Sequence, residues 1–395
     1  MPAKDAVQER WAARREILAR SGARGSAVEE LLVFNAPSLG AECCSAKQCF
    51  PLADEAHVAV WREYAVEAAS RGAPAALAPH FPQLRFPIQE GISRTPAYLA
   101  ATRRGEPYCG TAAPELIAPQ EVTLELACCA GGTVPVLTAA RRHDFVALVR
   151  ALAARNEPVA VPGSMGACIV SGLTNWDRVR RYRKLWQVSH PEAGEAEWRH
   201  EFVVLAARKE LYQDRLIVLS HGPYSGLGAG AVGLSPAEWD AHSLVIRRAH
   251  ECAHYLTARV FGRLQRNVLE ELVADFAGLL EAFGEYDADL ARAFLGIEAL
   301  PRVRPGGRLA NYRGSPPLSD EAFAVQARLA SEAIDVLAAL ARQAGPNLAS
   351  PARLGSLICA LVPLSLEELL LPRVQERLLN GAAGRARRAS ALLHR

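Results

Sequence analysis

At 395 residues, half of them hydrophobic, the chain can bury a substantial core and divide into two or three domains. A net charge of +3, with 22% charged residues of both signs, is too small and too dispersed for a nucleic-acid or membrane surface, so neither partner is expected. No apolar run approaches the ~18 residues of a membrane span, the first residues read as a charged amphipathic helix rather than a signal peptide, and the 9 cysteines are neither dense nor even in number. A disulfide scaffold is therefore disfavoured and a reduced, cytoplasmic setting is expected.

The first helix should run to about Arg20, followed by a Gly/Ser break and an irregular, loop-rich region to residue 120, with many prolines between Pro74 and Pro119. Cys43, Cys44 and Cys49, like Cys128 and Cys129, lack CxxC spacing, so no second metal or redox site is expected. From Val122 the runs VTLELACC and VPVLTAA read as strands around a Gly131-Gly132 hairpin, and a helix should follow from about His143 to Arg155. Arg215 to Ser220 reads as a buried strand leading into the turn-rich stretch HGPYSGLGAGAVGLSP. There Gly228, Gly230 and Gly233 spell GxGxxG, but Pro223 separates them from the strand, which argues against a dinucleotide site and for a mobile loop over an active site.

Two helices with clear ends come next. Ser235, Pro236 and Glu238 supply a cap, a first-position proline and a capping-box glutamate for a helix running to Phe261 before Gly262. Asn267 and Glu270 repeat the cap signature for a second helix, which keeps apolar helical spacing from Val268 to Leu280 and stops at Gly284. Beyond a loop from Pro301 to Pro317, Asp320 to Gln343 and Leu366 to Leu379 should be helical, with a break or kink at Pro372, and the basic tail from Gly384 should be a solvated helix end. The expected segments are thus 1–120, a metal-binding region over 121–315, and a helical C-terminal subdomain over 316–395.

Residues 250 to 254 read His-Glu-Cys-Ala-His, an HExxH sequence inside the first capped helix. Four residues rotate a helix by about 400°, so His250 and His254 project from one face a turn apart and can clamp one cation. Glu251 then stands beside a water that zinc would acidify, in the place of a general base. A third ligand must come from elsewhere. Glu271 and Asp275, at i and i+4 in ELVAD, share a face of the second helix. His254 lies ~10 Å before the end of its helix and Glu271 ~6 Å into its own, an offset that the loop from Gly262 to Asn267 or a helix crossing can absorb. In an antiparallel pair Glu271 approaches the level of His254 and Asp275 that of His250. Glu271 is accordingly the favoured third ligand and Asp275 the acceptor that fixes the tautomer of His250. His221, Tyr224 and His242 are candidate oxyanion stabilisers, whereas Tyr255 and Arg259 read as packing residues.

HECAH followed by ELVAD resembles the HExxH and ExxxD pair of the gluzincin, thermolysin-like metallopeptidases. That resemblance spans about 26 residues and implies zinc ligands His250, His254 and Glu271, base Glu251 and supporting Asp275; the metzincin pattern is not met, since Thr257 and Val260 stand where its glycine and third histidine would be. SMGA, NWDR, HGPYSG, HECAHYLTAR and ELVAD together resemble an uncharacterised family of bacterial proteins. The expected fold is α+β, a zincin-like core of mixed sheet, active-site helix and antiparallel glutamate helix, with a helical C-terminal subdomain. The expected activity is zinc-dependent hydrolysis of a peptide or other amide. Two other readings stay open: an iron (Fe2+) oxidase or oxygenase, for which Glu197 and His200 offer a second ExxH, and an inactive, metal-stabilised binding protein. Substrate identity and oligomeric state are not legible.

Overall fold

A computed structural model of the chain describes residues 2–39, 48–108, 110 and 112–381; Cys43, Cys44 and the basic tail from Gly384 lie outside the described residues. The fold is α+β, many helices with one four-stranded mixed sheet. Two compact units make it up: Ala53–Gly222, and Met1–Leu52 together with Pro223–Arg395. Residues 121–315, expected as one segment, contribute to both, the strands to the first and the HECAH helix to the second.

In the unit Ala53–Gly222 the strands are β1 (Val122–Cys129), β2 (Gly132–Ala139), β3 (Ala167–Thr174) and β4 (Gln213–Ser220), in the order β1-β2-β4-β3. The expected hairpin is present, with Cys129 paired to Gly132 across a two-residue turn. β2 runs parallel to β4, and β3 antiparallel to it. The two central strands are the most deeply buried, which is why they read as nearly continuous apolar runs. β3 is not among the expected strands. Gly172 has φ +73 and the pairing slips between Ser171 and Leu173, so its alternation is broken. The helix Arg142–Leu152 ends three residues before its expected limit, and Arg155 and Asn156 follow with φ of 55 and 62. It covers the sheet with Phe145 and Leu148, against Trp61 and Tyr64 of the unanticipated helix Val58–Arg71.

Beneath this core lies a closed polar knot. Asp214 accepts from Trp61 Nε1 (2.8 Å), Asn175 Nδ2 (2.7 Å) and Arg178 (2.6 Å) and is fully buried. Asn175 also caps the helix Trp176–Ser189, its side-chain oxygen accepting from the backbone of Asp177 and Arg178. The NWDR stretch is thus a helix start welded to β4.

The other unit is helical in its described residues. Pro2–Arg20 and Gly25–Phe34 belong with the C-terminal segment because Asn35 donates to both Gln326 and the buried Glu367 (2.9 Å each), and Arg14 reaches Glu367 at 3.4 Å. Pro372 breaks the last expected helix: Leu366–Leu369 ends before it, and a new helix over 372–381 opens on it. Among the described residues no helix is long and apolar enough to cross a membrane.

Candidate metal centre

The helix that carries HECAH, Pro236–Phe261, starts and stops as its sequence dictates. Ser235 Oγ accepts from Glu238 N (3.3 Å), the Glu238 carboxylate accepts from Ser235 N (2.9 Å), and Gly262 at φ +74 closes the C-terminus. We call it the motif helix. The glutamate helix, Val268–Phe283, is capped by Asn267, whose side chain accepts from Glu270 N (2.9 Å), and ends at Gly284. These two helices pack together closely because Gly278 faces Ile246. A Cβ at 278 would stand 2.8 Å from Ile246 Cγ2 and 3.0 Å from its carbonyl oxygen. The missing side chain therefore sets the separation at which Glu271 meets the histidines.

At this crossing His250 Nε2 and His254 Nε2 are 3.1 Å apart. Glu271 Oε2 lies 3.5 Å from the first and Glu271 Oε1 3.4 Å from the second. Four-coordinate zinc with bonds of ~2.0–2.2 Å separates its donors by about 3.3–3.6 Å in a tetrahedron. Both histidine–carboxylate distances fall in that range and the His–His distance just below it, so the three side chains could hold one ion. Among the described residues they form the one group of three side chains with converging metal-ligand atoms. Glu251, next to His250, is half-buried and close enough to act on the charge of His254.

Each imidazole is held from behind. His250 Nδ1 lies 3.0 Å from Asp275 Oδ1 and 3.0 Å from Tyr224 Oη, while the Tyr224 hydroxyl donates to Asp275 at 2.6 Å. Because the ionised carboxylate can only accept, the proton of His250 sits on Nδ1 and the Nε2 lone pair faces the centre. His254 Nδ1 lies 3.4 Å from Glu270 Oε1, and Glu270 Oε2 accepts from Arg266 N at 2.6 Å. The cap pattern is thus half right. Asn267 caps, but the Glu270 carboxylate turns to His254 instead of closing a capping box.

Arg308 joins these groups. Its guanidinium donates to Asp275 Oδ2 (3.0 Å), Tyr224 Oη (2.7 Å) and Glu271 Oε2 (3.3 Å). The short 3-10 helix Arg308–Tyr312 that presents it follows Gly307, where a Cβ would meet Leu295 O at 2.6 Å and the Gly296 Cα at 2.7 Å. Tyr312 stands near the same carboxylate, its hydroxyl pushed up by burial and by the charge of Glu271. Burial alone would raise the Asp275 carboxyl, but the Arg308 charge and the bonds from His250 and Tyr224 hold it below the usual range. Glu271 is likewise held low against its burial, by its hydrogen bond with His254 and by the charges of His254 and Arg308. Burial would lower His254, yet its bonds to Glu270 and Glu271 raise it well above the ordinary imidazole value. Tyr224 is pushed well up by burial and stays a neutral donor.

The other candidates are placed as follows. Tyr224 stands on the Nδ1 side of His250, away from the converging Nε2 atoms. His242 is half-buried near the start of the motif helix, bonded to Glu238 O (2.8 Å) and stacked on Phe283. His221 belongs to the unit Ala53–Gly222, where its backbone donates to Ala139 O. Arg259 lies over the ring of buried Tyr255, the packing expected of that pair. In the second ExxH, the Glu197 carboxylate caps Gly194 N (2.9 Å) and His200 is exposed; neither joins the group of three. The GxGxxG stretch is anchored at its start, where Tyr224 N donates to Ser243 Oγ (3.0 Å) and Trp239 Nε1 to Leu227 O (2.7 Å). Glu270, Arg308, Tyr312 and Gly278 are the parts of the centre that the sequence reading does not identify. Only Glu270, one residue before Glu271, carried a local signal.

No curated protein and no solved structure matches the chain. A family profile does, over residues 16–373, and by that match the chain belongs to DUF7005, a family of unknown function.

Proposed function

We propose that the chain is a zinc-dependent hydrolase that cleaves a peptide or other amide bond at the His250/His254/Glu271 centre. The observation that carries this reading is the donor geometry: two Nε2 atoms and a carboxylate at 3.1, 3.4 and 3.5 Å, beside Glu251. Its support from sequence is the similarity of HECAH and ELVAD to the paired motifs of the gluzincin metallopeptidases. Zinc bound there would lower the pKa of a water toward ~7 and polarise a scissile carbonyl. Glu251 accepts the proton of the attacking water and delivers it to the departing amine. Asp275 and Glu270 keep both imidazoles in the tautomer that directs Nε2 inward. Arg308 offsets the charge of Asp275 and Glu271, so that two carboxylates can be buried side by side without either taking up a proton.

The donor set, two histidines and one carboxylate, is also the facial triad of mononuclear iron(II) oxygenases. Metal analysis of protein purified aerobically without chelator separates the two. Stoichiometric zinc, with amide cleavage in an unbiased peptide-library digest that is lost in Glu251→Gln, is the expected outcome. Stoichiometric iron without zinc would overturn the hydrolase reading, and failure to bind any transition metal would overturn both.

A further inference from the structure

The unit Ala53–Gly222 contains a cleft of about 270 Å³ whose walls include His80, Arg85, Gly105, Tyr108, Trp176 and Arg180. Its aromatic walls are fixed in place. Trp176 Nε1 donates to Thr102 O (2.9 Å), and the indole lies so close over Gly105, at φ +66, that a Cβ there would stand 2.4 Å from two ring atoms. Tyr108 stacks on Phe86 with centroids 3.9 Å apart, and His80 on Tyr64 at 4.1 Å. Rings held in this way lose little freedom when a flat ligand settles against them.

The charges of the cleft are not balanced from within. On the helix Trp176–Ser189, Arg178 is paired with Asp214, Arg181 with Asp177 and Glu63, and Arg183 with Glu195. Arg180, on the same helix, faces the cleft and has no hydrogen bond or ion pair among the described residues, and the same holds for Arg85. Glu106, the carboxylate of the lining, is bonded to Arg104. His80 Nδ1 is buried without a hydrogen-bond partner, with Asp177 Oδ2 standing off at 3.9 Å.

We infer that this cleft is a second binding site, for a small organic anion in which a carboxylate or phosphate is attached to a flat ring. Guanidinium forks match both oxyanions bidentately, and Tyr108 and His80, braced from behind by Phe86 and Tyr64, offer the ring a stacking surface. The volume falls just under the ~300 Å³ at which drug-sized sites begin, which selects a ligand of about one ring. Nothing in this inference depends on the metal centre, which lies in the other unit.

Calorimetric titration of the full chain with benzoate, phenyl phosphate and inorganic phosphate tests it. One-to-one binding of benzoate or phenyl phosphate is expected, and whichever is tighter identifies the oxyanion. Arg85→Gln and Arg180→Gln should each weaken it about tenfold or more, while Arg342→Gln, the same charge change in the other unit, should leave it unaltered. Binding by the unmodified protein should also weaken as salt is raised, a readout independent of any variant. The proposal is overturned if neither ring compound binds, if inorganic phosphate binds as tightly as phenyl phosphate, or if Arg342→Gln matches the cleft variants.

Discussion

Two buried polar clusters, one in each unit, are built from similar residues and arranged for opposite ends. Around Asp214, donors from Trp61, Asn175 and Arg178 all point at one carboxylate, and the group closes on itself. Around His250 and His254, the partners are drawn to the rear: Asp275 and Tyr224 stand on the Nδ1 side of His250 and Glu270 on that of His254, and the two Nε2 atoms and the Glu271 carboxylate are left facing one another. A saturated cluster gains nothing from a further ligand, whereas converging ligand atoms hold a proton that a metal ion can displace. Burial and charge alone do not distinguish the two. The direction of the lone pairs does.

The largest effect expected from this contrast is catalytic. Glu251→Gln should keep the metal, because the side chain is not one of the three donors, and lower turnover on a substrate found by library digest by about 10²–10⁴-fold. Equal turnover by the variant would remove Glu251 as base, and absence of turnover from the unmodified, zinc-loaded chain would favour a binding protein. In the saturated cluster the same kind of change should be read in stability. Asp214→Ala strands Arg178 without its partner and should cost about 3–5 kcal/mol in urea unfolding, with the metal content of the folded fraction unchanged. If metal were lost in proportion, the two clusters would not be independent.

Smaller effects sharpen the role of the groups behind the ligands. Glu270→Gln should weaken zinc about 10–100-fold in competition with a chelator while leaving the far-UV spectrum unaltered, and Asp275→Asn should do at least as much. No change for Glu270→Gln would mean that the 3.4 Å approach to His254 is incidental. Gly278→Ala forces a Cβ to within 2.8 Å of Ile246 Cγ2 and should cost about 1–3 kcal/mol. Trimming the obstacle with Ile246→Val in the same chain should recover part of that loss. An additive double variant would place the tight point elsewhere.

What the sequence discloses is what is local. The motif helix is bounded by Ser235, Pro236, Glu238 and Gly262, all of which act within one turn, and the pairing of Glu271 with His254 and Asp275 with His250 follows from helix geometry. Arg308 is not legible, because its place is set by the packing of Gly307 on Gly296, at the end of a loop with no periodicity. Glu270 misleads for a different reason: a glutamate three residues after a capping asparagine fits two structures equally, and tertiary contact with His254 decides. In β3 the positive φ of Gly172 hides the period of two. Adjacency misleads as well. β4 and the motif helix are separated by one turn-rich stretch, yet the units divide between Gly222 and Pro223.

Protons give the last and smallest test, about tenfold in metal affinity for each pH unit over which one proton is displaced. Without metal, His254 is held well above its ordinary value near 6.5 despite burial, by its bonds to Glu270 and Glu271, so the metal-free site favours its protonated form. A proton on His254 occupies a ring nitrogen, and zinc needs the Nε2 lone pair. Uptake should therefore release a proton, and affinity should fall as pH drops below the folded value of His254. The metal-free chain should show the opposite trend in stability from this residue. A raised histidine contributes stabilisation that is complete below its unfolded value near 6.5 and is lost as pH rises through its folded value. The depressed Glu271 contributes above its unfolded value near 4.5 and loses that contribution as pH falls through its folded value. Urea unfolding of chelated and zinc-loaded protein from pH 5 to 9 should then give curves that diverge as pH rises, the metal-free one declining. Parallel curves, or zinc uptake without proton release, would show that His254 is neutral before the metal arrives and that the converging cluster is already open.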